Sequence, residues 1–204
     1  MLKPAMRSAL RPALRPAMRQ PTVADPPMTL IEMASDLANR AHLGQRRKIS
    51  GIPYIVHPFR VAAMVDHYGG SQEQIAAAWC HDVLEDCPAA FGLELESLPL
   101  PVVSLVRQVT KDIDPATGKG VKGELFMMEL RAMSQAAALI KLCDRIDNLN
   151  DGLRDMPIDW LARYTAESVG LAQALNRPGL EPAHDMLMDL IGMATQRIET
   201  GAAS

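Results

Sequence analysis

The chain has 204 residues, of which 48% are hydrophobic and 4% aromatic, and its formal net charge is −3. A chain of this length and apolar content can bury the core of one ordinary domain and has little room for a second. Residues 1–27 contain five basic side chains and one acidic side chain, a net charge of +4, so the remaining residues carry −7. An acidic body argues against general nucleic-acid binding, which needs a basic surface to neutralise phosphates.

The cysteines and the hydropathy pattern indicate a cellular compartment. Cys80, Cys87 and Cys143 show neither C-x-x-C spacing nor the density of a disulfide scaffold, which is typical of a reducing environment. No apolar run approaches the roughly 20 residues needed to span a bilayer, and no signal-peptide core precedes the acidic body. We therefore expect a cytoplasmic protein without a membrane partner.

The first 27 residues differ in composition from the rest of the chain. They repeat a Pro-Ala-x-Arg unit at positions 4–7, 12–15 and 16–19. Frequent prolines prevent a continuous helix, so we predict a disordered basic segment over residues 1–27 and one domain over residues 28–204. An Arg-rich transit segment, a solvated tail and a start at Met28 all explain the same residues.

Deletion of residues 1–27 is expected to leave folding and activity unchanged, because nothing in this segment can bury a core. Circular dichroism, thermal melting and turnover of the truncated and full-length chains test this. A truncated protein that fails to fold would contradict the prediction.

Abundant Ala, Leu and Met with few aromatic residues favour helices over strands, because unbranched side chains lose little rotamer freedom in a helix. Two capping-box patterns, Thr29-x-x-Glu32 and Ser71-x-x-Gln74, predict helix starts. We predict an all-α bundle of about seven or eight helices. The predicted helices run from Thr29 to a stop at Gly44 and cover 59–67, the apolar run 75–84, 101–109, 125–133, 136–153, 157–175 and 182–198, with a loop over 112–123.

His81 and Asp82 lie within the apolar run 75–84. Burial of an imidazole and a carboxylate without partners costs several kcal/mol, so something must compensate them. Helical spacing places Glu85 and Asp86 close to them, and carboxylates packed this closely repel one another unless a cation is present. A divalent metal is the simplest explanation, although a charge patch at a helix end also explains the dipeptide by itself.

Two further segments carry potential ligands. His57 precedes Pro58 at a predicted helix start, where a neutral imidazole can act as a nitrogen ligand or be purely structural. Asp144 lies opposite the hydrophobic stripe of the predicted helix 136–153, on a face that could also simply be solvated. The order of these residues along the chain is therefore His, His-Asp, Asp.

With these residues the sequence resembles the HD-domain phosphohydrolases, and in particular the hydrolase domain of RelA/SpoT homologues and the stand-alone small alarmone hydrolases. The resemblance covers about residues 29–176 in family order. It is carried by Ala41-His42-x-Gly44-Gln45, Arg47-Lys48, Gly51-x-Pro53-Tyr54-Ile55-x-His57-Pro58, Ala76-Ala77-Ala78-x-x-His81-Asp82-x-x-Glu85-Asp86, Val109-Thr110-Lys111 and Lys141-Leu142-x-Asp144-Arg145-x-x-Asn148-Leu149.

The resemblance implies one metal ion, usually manganese in this family, with four protein ligands. A set of two imidazoles and two carboxylates suits Mn²⁺ or Fe²⁺, and Zn²⁺ would also bind it. The implied ligands are His57, His81, Asp82 and Asp144.

The resemblance also implies roles for other residues. Glu85 and Asp86 match the acidic pair that positions or deprotonates the attacking water, although Glu85 could instead orient ligands. Arg47, Lys48 and Asn148 match residues that hold the base and phosphates of a nucleotide, and the basic residues could otherwise be a solvated loop.

Three positions depart from the family pattern. Ile49 separates Lys48 from Ser50 in a loop of variable length, which leaves the role of Ser50 open. Asp147 stands where many long RelA/SpoT proteins have histidine, and Asn150 stands where many have a basic residue, so one phosphate contact is either missing or supplied elsewhere. All four implied ligands and the acidic pair are present.

The expected function is hydrolysis of the 3′-pyrophosphate of (p)ppGpp or an adenosine analogue. Two alternatives stay open at this point. One is an HD phosphatase that acts on another phosphorylated nucleotide such as NADPH, and the other is a catalytically silent module that binds nucleotides.

Overall fold

The computed structural model describes residues 27–48, 50–114 and 118–201. Within these ranges the chain forms ten helices and one two-stranded antiparallel ribbon, so the predicted all-α class is confirmed. Apart from Pro27, the segment predicted to be disordered lies outside the described residues. The helices are α1 Leu30–Ala41, α2 Val56–His67, α3 Gln72–Cys80, α4 Val83–Asp86, α5 Pro88–Leu95, α6 Leu100–Val109, α7 Gly123–Ala132, α8 Gln135–Asp155, α9 Ile158–Ala174 and α10 Glu181–Gly201, and the strands are β1 Ile113–Asp114 and β2 Lys119–Gly120.

Both capping boxes form as predicted. The Thr29 hydroxyl accepts a hydrogen bond from the Glu32 backbone N–H at 3.3 Å, and the Glu32 carboxylate accepts one from the Thr29 N–H at 2.7 Å. Ser71 and Gln74 make the same reciprocal pair at the start of α3. These bonds satisfy backbone N–H groups that have no partner within the helix.

A glycine pair makes the tight connection between α2 and α3. Gly69 has φ +78°, a conformation that side chains other than glycine rarely adopt. A Cβ atom on Gly70 would lie 2.5 Å from Val65 Cγ1, so a side chain there would clash with α2. The two glycines therefore allow α3 to return directly along α2.

The helices α2, α3 and α8 surround the polar cluster that the sequence predicts. Helix α3 packs against α1, α2, α6 and α8, and α8 also contacts α2, α9 and α10. Helix α3 is buried on several sides, which explains its run of small apolar residues. Ala76, Ala77 and Ala78 are all 0% exposed, and their small side chains let neighbouring helices approach closely.

The predicted helix over residues 75–84 is interrupted. Helix α3 ends at Cys80, His81 and Asp82 form a turn, and α4 begins at Val83. His81 Nδ1 lies 2.7 Å from the Ala78 carbonyl oxygen, the acceptor that a continuing helix would offer to the Asp82 backbone N–H. The imidazole thus competes with the backbone at the point where the helix stops.

Two further differences raise the number of elements above the prediction. Helix α5 begins with Pro88 at its first position and was not predicted. The predicted loop over 112–123 contains the ribbon, in which Ile113 pairs with Gly120 and Asp114 with Lys119. Each strand has two residues, too short for an alternating hydrophobic pattern to be visible in the sequence.

No helix in the described part of the chain combines the length and the apolar character that crossing a bilayer requires.

Candidate metal centre and substrate pocket

Three separate parts of the fold supply the four predicted ligands. His57 lies in the first turn of α2, His81 and Asp82 form the turn between α3 and α4, and Asp144 lies in the middle of α8. Both imidazoles are 2% exposed and Asp144 is 8% exposed. The packing of α2 and α3 against α8 therefore brings together polar residues that are far apart in the chain.

The donor atoms of these four side chains face one another. The Nε2 atoms of His57 and His81 are 3.2 Å apart. Asp82 Oδ2 lies 3.5 Å from the first imidazole nitrogen and 3.2 Å from the second, and Asp144 Oδ1 lies 3.3 Å and 3.8 Å from them. Ligands held about 2.0–2.2 Å from one ion at angles of about 90–109° would be about 2.8–3.6 Å apart. The donor atoms of His57, His81 and Asp82 all lie within 4.8 Å of one another, so these three form a candidate metal site, and Asp144 borders it.

Each of the two imidazoles has a hydrogen-bond partner behind the ring, at Nδ1, and these partners favour the tautomer with the proton on Nδ1. His81 Nδ1 is 2.7 Å from the Ala78 carbonyl oxygen, which can only accept, so this nitrogen donates. His57 Nδ1 is 2.7 Å from an oxygen of Asp147. In the neutral rings both Nε2 atoms then carry lone pairs that point toward each other and toward two carboxylates. A divalent cation would satisfy these lone pairs and carboxylates together, and the residues present fit such an ion.

The electrostatics of the site favour positive charge between the carboxylates. Burial lowers the pKa of His57, but the carboxylates of Asp144, Asp147 and Asp82 outweigh burial and raise that pKa to about 9. Burial raises the pKa of Asp82, but His81 and His57 hold the net pKa below its usual range. The carboxylates remain ionised, and they stabilise positive charge between them.

Neighbouring polar groups fix the orientation of the two carboxylates. The Tyr54 hydroxyl donates to Asp82 Oδ2 at 2.7 Å. Lys141, itself 6% exposed, has its Nζ 3.1 Å from Asp144 Oδ2 and also donates to the Val109 carbonyl oxygen. Such bonds hold the carboxylates in place before a metal binds and limit the entropy lost on binding.

The predicted acidic pair lies on α4, directly after the turn that carries two of the ligands. Both Glu85 and Asp86 are exposed, and the Asp86 backbone N–H donates to the Asp82 carbonyl at 2.9 Å. Although Asp86 is exposed on the surface, neighbouring groups partly desolvate its carboxyl, and this desolvation together with the negative charge of Asp82 raises its pKa. The Glu85 carboxylate accepts a hydrogen bond from the Lys111 backbone N–H at 3.1 Å. A carboxylate with a raised pKa beside a metal centre is suited to accepting a proton.

The predicted substrate-binding residues line one pocket of about 520 Å³. Arg47 Nη2 donates to Asn148 Oδ1 at 2.8 Å, and Asn148 Nδ2 donates to Asp144 Oδ1 at 2.5 Å. Asn148 therefore connects the Arg47 guanidinium to a predicted metal ligand. Lys48 is exposed at the same pocket, and Tyr54 lies between the pocket and Asp82.

Several residues of the site had no predicted role. Tyr54 and Lys141 lie within the family motifs, and the i, i+3 spacing of Lys141 and Asp144 could have indicated their ion pair. Trp160 and Tyr164 form a stacked pair on α9 with centroids 4.4 Å apart, and both line the pocket. Their i, i+4 spacing could have indicated the stack, whereas the sequence does not indicate that both rings line the same pocket as Arg47.

Fold and site together define an α-helical protein with a buried histidine–carboxylate cluster that could hold a metal ion. The family model described as "HD domain" matches residues 34–157, and the chain therefore belongs to the HD domain family. The family resemblance expected from the sequence motifs is thereby confirmed.

The relatives of the chain are of two lengths. It is 35% identical over 143 residues to guanosine-3′,5′-bis(diphosphate) 3′-pyrophosphohydrolase MESH1 of Xenopus tropicalis, a match that covers 68% of this chain and 78% of the relative. It is 37% identical over 137 residues to the bifunctional (p)ppGpp synthase/hydrolase SpoT of Escherichia coli, covering 64% of this chain and 19% of the relative. The chain thus spans about a fifth of this long relative and more than three quarters of the small one.

A solved structure of a metazoan SpoT orthologue, which is said to hydrolyse ppGpp and to play a role in starvation responses, is also similar to this fold. The TM-score is 0.66 at 28% sequence identity, and the match covers 83% of this chain and 99% of the other. The similarity therefore extends over nearly the whole of a small stand-alone relative.

Proposed function

We propose that this protein is a metal-dependent hydrolase that removes the 3′-pyrophosphate from a purine nucleotide of the (p)ppGpp or (p)ppApp type. The observation that carries the proposal is the cluster of two imidazole nitrogens and two carboxylate oxygens, whose imidazole–imidazole and imidazole–carboxylate distances are all 3.8 Å or less. This cluster lies beside a pocket that contains Arg47 and Lys48. The names of the relatives and of the similar structure support the substrate class.

The proposed ligands are His57, His81, Asp82 and Asp144. A divalent ion bound there supplies Lewis acidity, which neutralises charge on the phosphate and makes water a better nucleophile at neutral pH. Mn²⁺ is the proposed ion because the donor set mixes imidazole with carboxylate, and Fe²⁺ and Zn²⁺ are the competing ions. Tyr54 and Lys141 hold the two carboxylates in the binding orientation.

Glu85 and Asp86 are the proposed proton acceptors for the attacking water. A general base is most effective when its pKa lies near the working pH. The raised pKa of Asp86 moves this carboxyl toward that condition. The hydrogen bond from the Lys111 backbone N–H restrains the Glu85 carboxylate. A restrained carboxylate holds a bound water in one position. Glu85 and Asp86 both lie within about one turn of helix after Asp82.

The nucleotide is proposed to occupy the 520 Å³ pocket. Arg47 and Lys48 supply positive charge for phosphate oxygens, and a guanidinium can also stack on a purine. Trp160, which stacks on Tyr164 and lines the pocket, offers an aromatic surface for the base. The Asn148 side-chain oxygen accepts from Arg47, and its amide nitrogen donates to Asp144. We propose that the second N–H of that amide donates to a phosphate.

A panel of nucleotides tests the proposed substrate class. Mn²⁺-loaded protein is incubated with ppGpp, ppApp, NADPH and simple nucleoside mono- and triphosphates, and the products are identified by mass. We expect pyrophosphate and a nucleoside 5′-phosphorylated product from a 3′-pyrophosphate. If both 3′-pyrophosphates survive while NADPH or a plain nucleotide is consumed, the protein is an HD phosphatase of different specificity. If nucleotides bind and none is turned over, the protein is a nucleotide-binding module.

The Arg47→Ala variant is expected to raise KM about tenfold or more while changing kcat less, because contacts to the base and outer phosphates persist through the reaction. Steady-state kinetics with the substrate found in the panel measure both parameters. Arg131→Ala is the matched control, because it removes an exposed guanidinium that pairs with Glu124 outside the pocket. A fall in kcat with unchanged KM would show that Arg47 acts in the transition state instead.

We also propose a cytoplasmic location. All three cysteines are free, and Cys80 and Cys143 are buried thiols. Unpaired thiols of this kind persist in a reducing compartment.

A further inference from the structure

A buried carboxylate lies behind His57, on the opposite side of the ring from the other donor atoms. Asp147 is 3% exposed, and its Oδ2 is 2.7 Å from His57 Nδ1. The two residues are 90 positions apart in the sequence and meet where α2 packs on α8. Asp147 is not one of the four proposed ligands, and it has no part in the proposed catalysis.

The two imidazoles differ in the hydrogen-bond acceptor that faces their Nδ1 atoms. His81 donates to the neutral backbone carbonyl of Ala78, whereas His57 donates to a carboxylate, at the same distance of 2.7 Å. A bond to a charged acceptor is stronger than one to a neutral acceptor, and it increases the electron density that the far nitrogen offers to a metal. Of the two histidines, His57 is therefore expected to be the stronger electron donor to a metal ion.

A series of alternating charges holds Asp147 in place. Its Oδ1 lies 3.5 Å from Arg60 Nη1, and the same guanidinium nitrogen lies 3.0 Å from Asp151 Oδ1. Asp151 Oδ2 is 3.2 Å from the guanidinium of Arg47 at the substrate pocket. The carboxylate behind His57 thus belongs to one continuous network with a proposed substrate-binding residue.

We propose that Asp147 is a positioning residue: its carboxylate holds His57 as the Nδ1–H tautomer and strengthens His57 Nε2 as a metal ligand. The inference rests on the proposed metal centre and deepens it. Asp147 stands where many long RelA/SpoT proteins have histidine, and its carboxylate faces His57 rather than the pocket. The proposal therefore gives this departure from the family pattern a role.

Metal affinity in the absence of substrate tests the proposal. Chelator-treated protein is titrated with Mn²⁺, and the free ion is measured by electron paramagnetic resonance for wild type, Asp147→Asn and Asp147→Ala. The asparagine oxygen still accepts a hydrogen bond but carries no charge, so His57 would then resemble His81. We expect the dissociation constant to rise from wild type to Asp147→Asn to Asp147→Ala, with the alanine variant about 10- to 100-fold weaker.

Asp185→Asn is the matched control. Asp185 is an exposed carboxylate beside a different histidine, 3.6 Å from His184 Nδ1, on a helix that supplies none of the proposed ligands. The change in net charge is the same as in Asp147→Asn, so an unchanged Mn²⁺ affinity in the control separates a local effect from a general electrostatic one. An equal loss of affinity in the control would overturn the proposal.

A second measurement needs no variant and so does not depend on whether Asp147→Ala folds. In protein loaded with diamagnetic Zn²⁺, long-range ¹H–¹⁵N spectra report which nitrogen of each histidine carries the proton. The proposal requires a proton on Nδ1 of His57. A proton on Nε2 would overturn it.

The outcomes separate this inference from the proposed function. A wild-type chain that binds neither Mn²⁺ nor Zn²⁺ overturns the metal centre and the role of Asp147 together. A wild-type chain that binds metal and hydrolyses substrate, with folded Asp147→Asn and Asp147→Ala variants of unchanged affinity, overturns only the role of Asp147.

Discussion

The His81→Ala variant is expected to lose detectable turnover and to lose the stabilisation that a metal ion gives the wild-type protein. His81 is one of the four proposed metal ligands, and it lies in the turn between α3 and α4. A ligand present at about a hundred times its dissociation constant stabilises a protein by about 2.7 kcal/mol. For a chain of this size that corresponds to a rise of about 5–10 °C in melting temperature.

The measurement compares melting temperatures with Mn²⁺ and with a chelator. We expect a difference of several degrees for the wild type and none for His81→Ala. His67→Ala is the control, because His67 is an exposed histidine at the other end of α2. Undiminished turnover in His81→Ala would contradict the proposed metal centre. So would a wild-type protein whose melting temperature and turnover are both unchanged by the chelator.

The second large effect is expected from the acidic pair. Glu85→Gln and Asp86→Asn should each lower kcat by about a hundredfold or more while the protein still binds Mn²⁺, because removal of a general base affects proton transfer and not metal ligation. Both substitutions preserve side-chain size and remove the charge. Turnover and metal affinity must therefore be measured on the same samples.

Glu199→Gln provides the control for the loss of one glutamate charge, since Glu199 is exposed on α10. If both active-site variants lose metal as well as activity, the pair acts as ligand support and its assignment to water activation is wrong. If one variant keeps full activity, the other carboxylate is the proton acceptor.

Much of the fold could be predicted because it depends on local interactions. The capping boxes at Thr29 and Ser71 involve residues three positions apart, and the stripe of α8 repeats with the helical period. Such patterns report hydrogen bonds and burial within one element, so a single sequence displays them. The break at His81 was not predicted because a side chain and the backbone compete for the same acceptor there, and periodicity does not show this competition.

The identities and order of the chemical groups in the candidate site were also visible in the sequence. His57, His81, Asp82 and Asp144 follow the family pattern, and the acidic pair on α4 follows Asp82 at fixed spacing. That pattern indicated which residues belong together and which class of chemistry they suit. It did not indicate which nitrogen of each imidazole faces the centre, because the tautomer depends on the partner behind the ring.

The sequence by itself determined the helical class, most helix starts and the set of groups able to bind a metal. The tertiary structure decided their geometry: it brings both carboxylates within 3.8 Å of the imidazole nitrogens, sets Asp147 behind His57, and joins Arg47 to the centre through Asn148. The physical reason is range, since helix propensity and capping act over about three or four residues. Contacts over 90 or 101 positions exist only because α2 and the loop before it pack against α8.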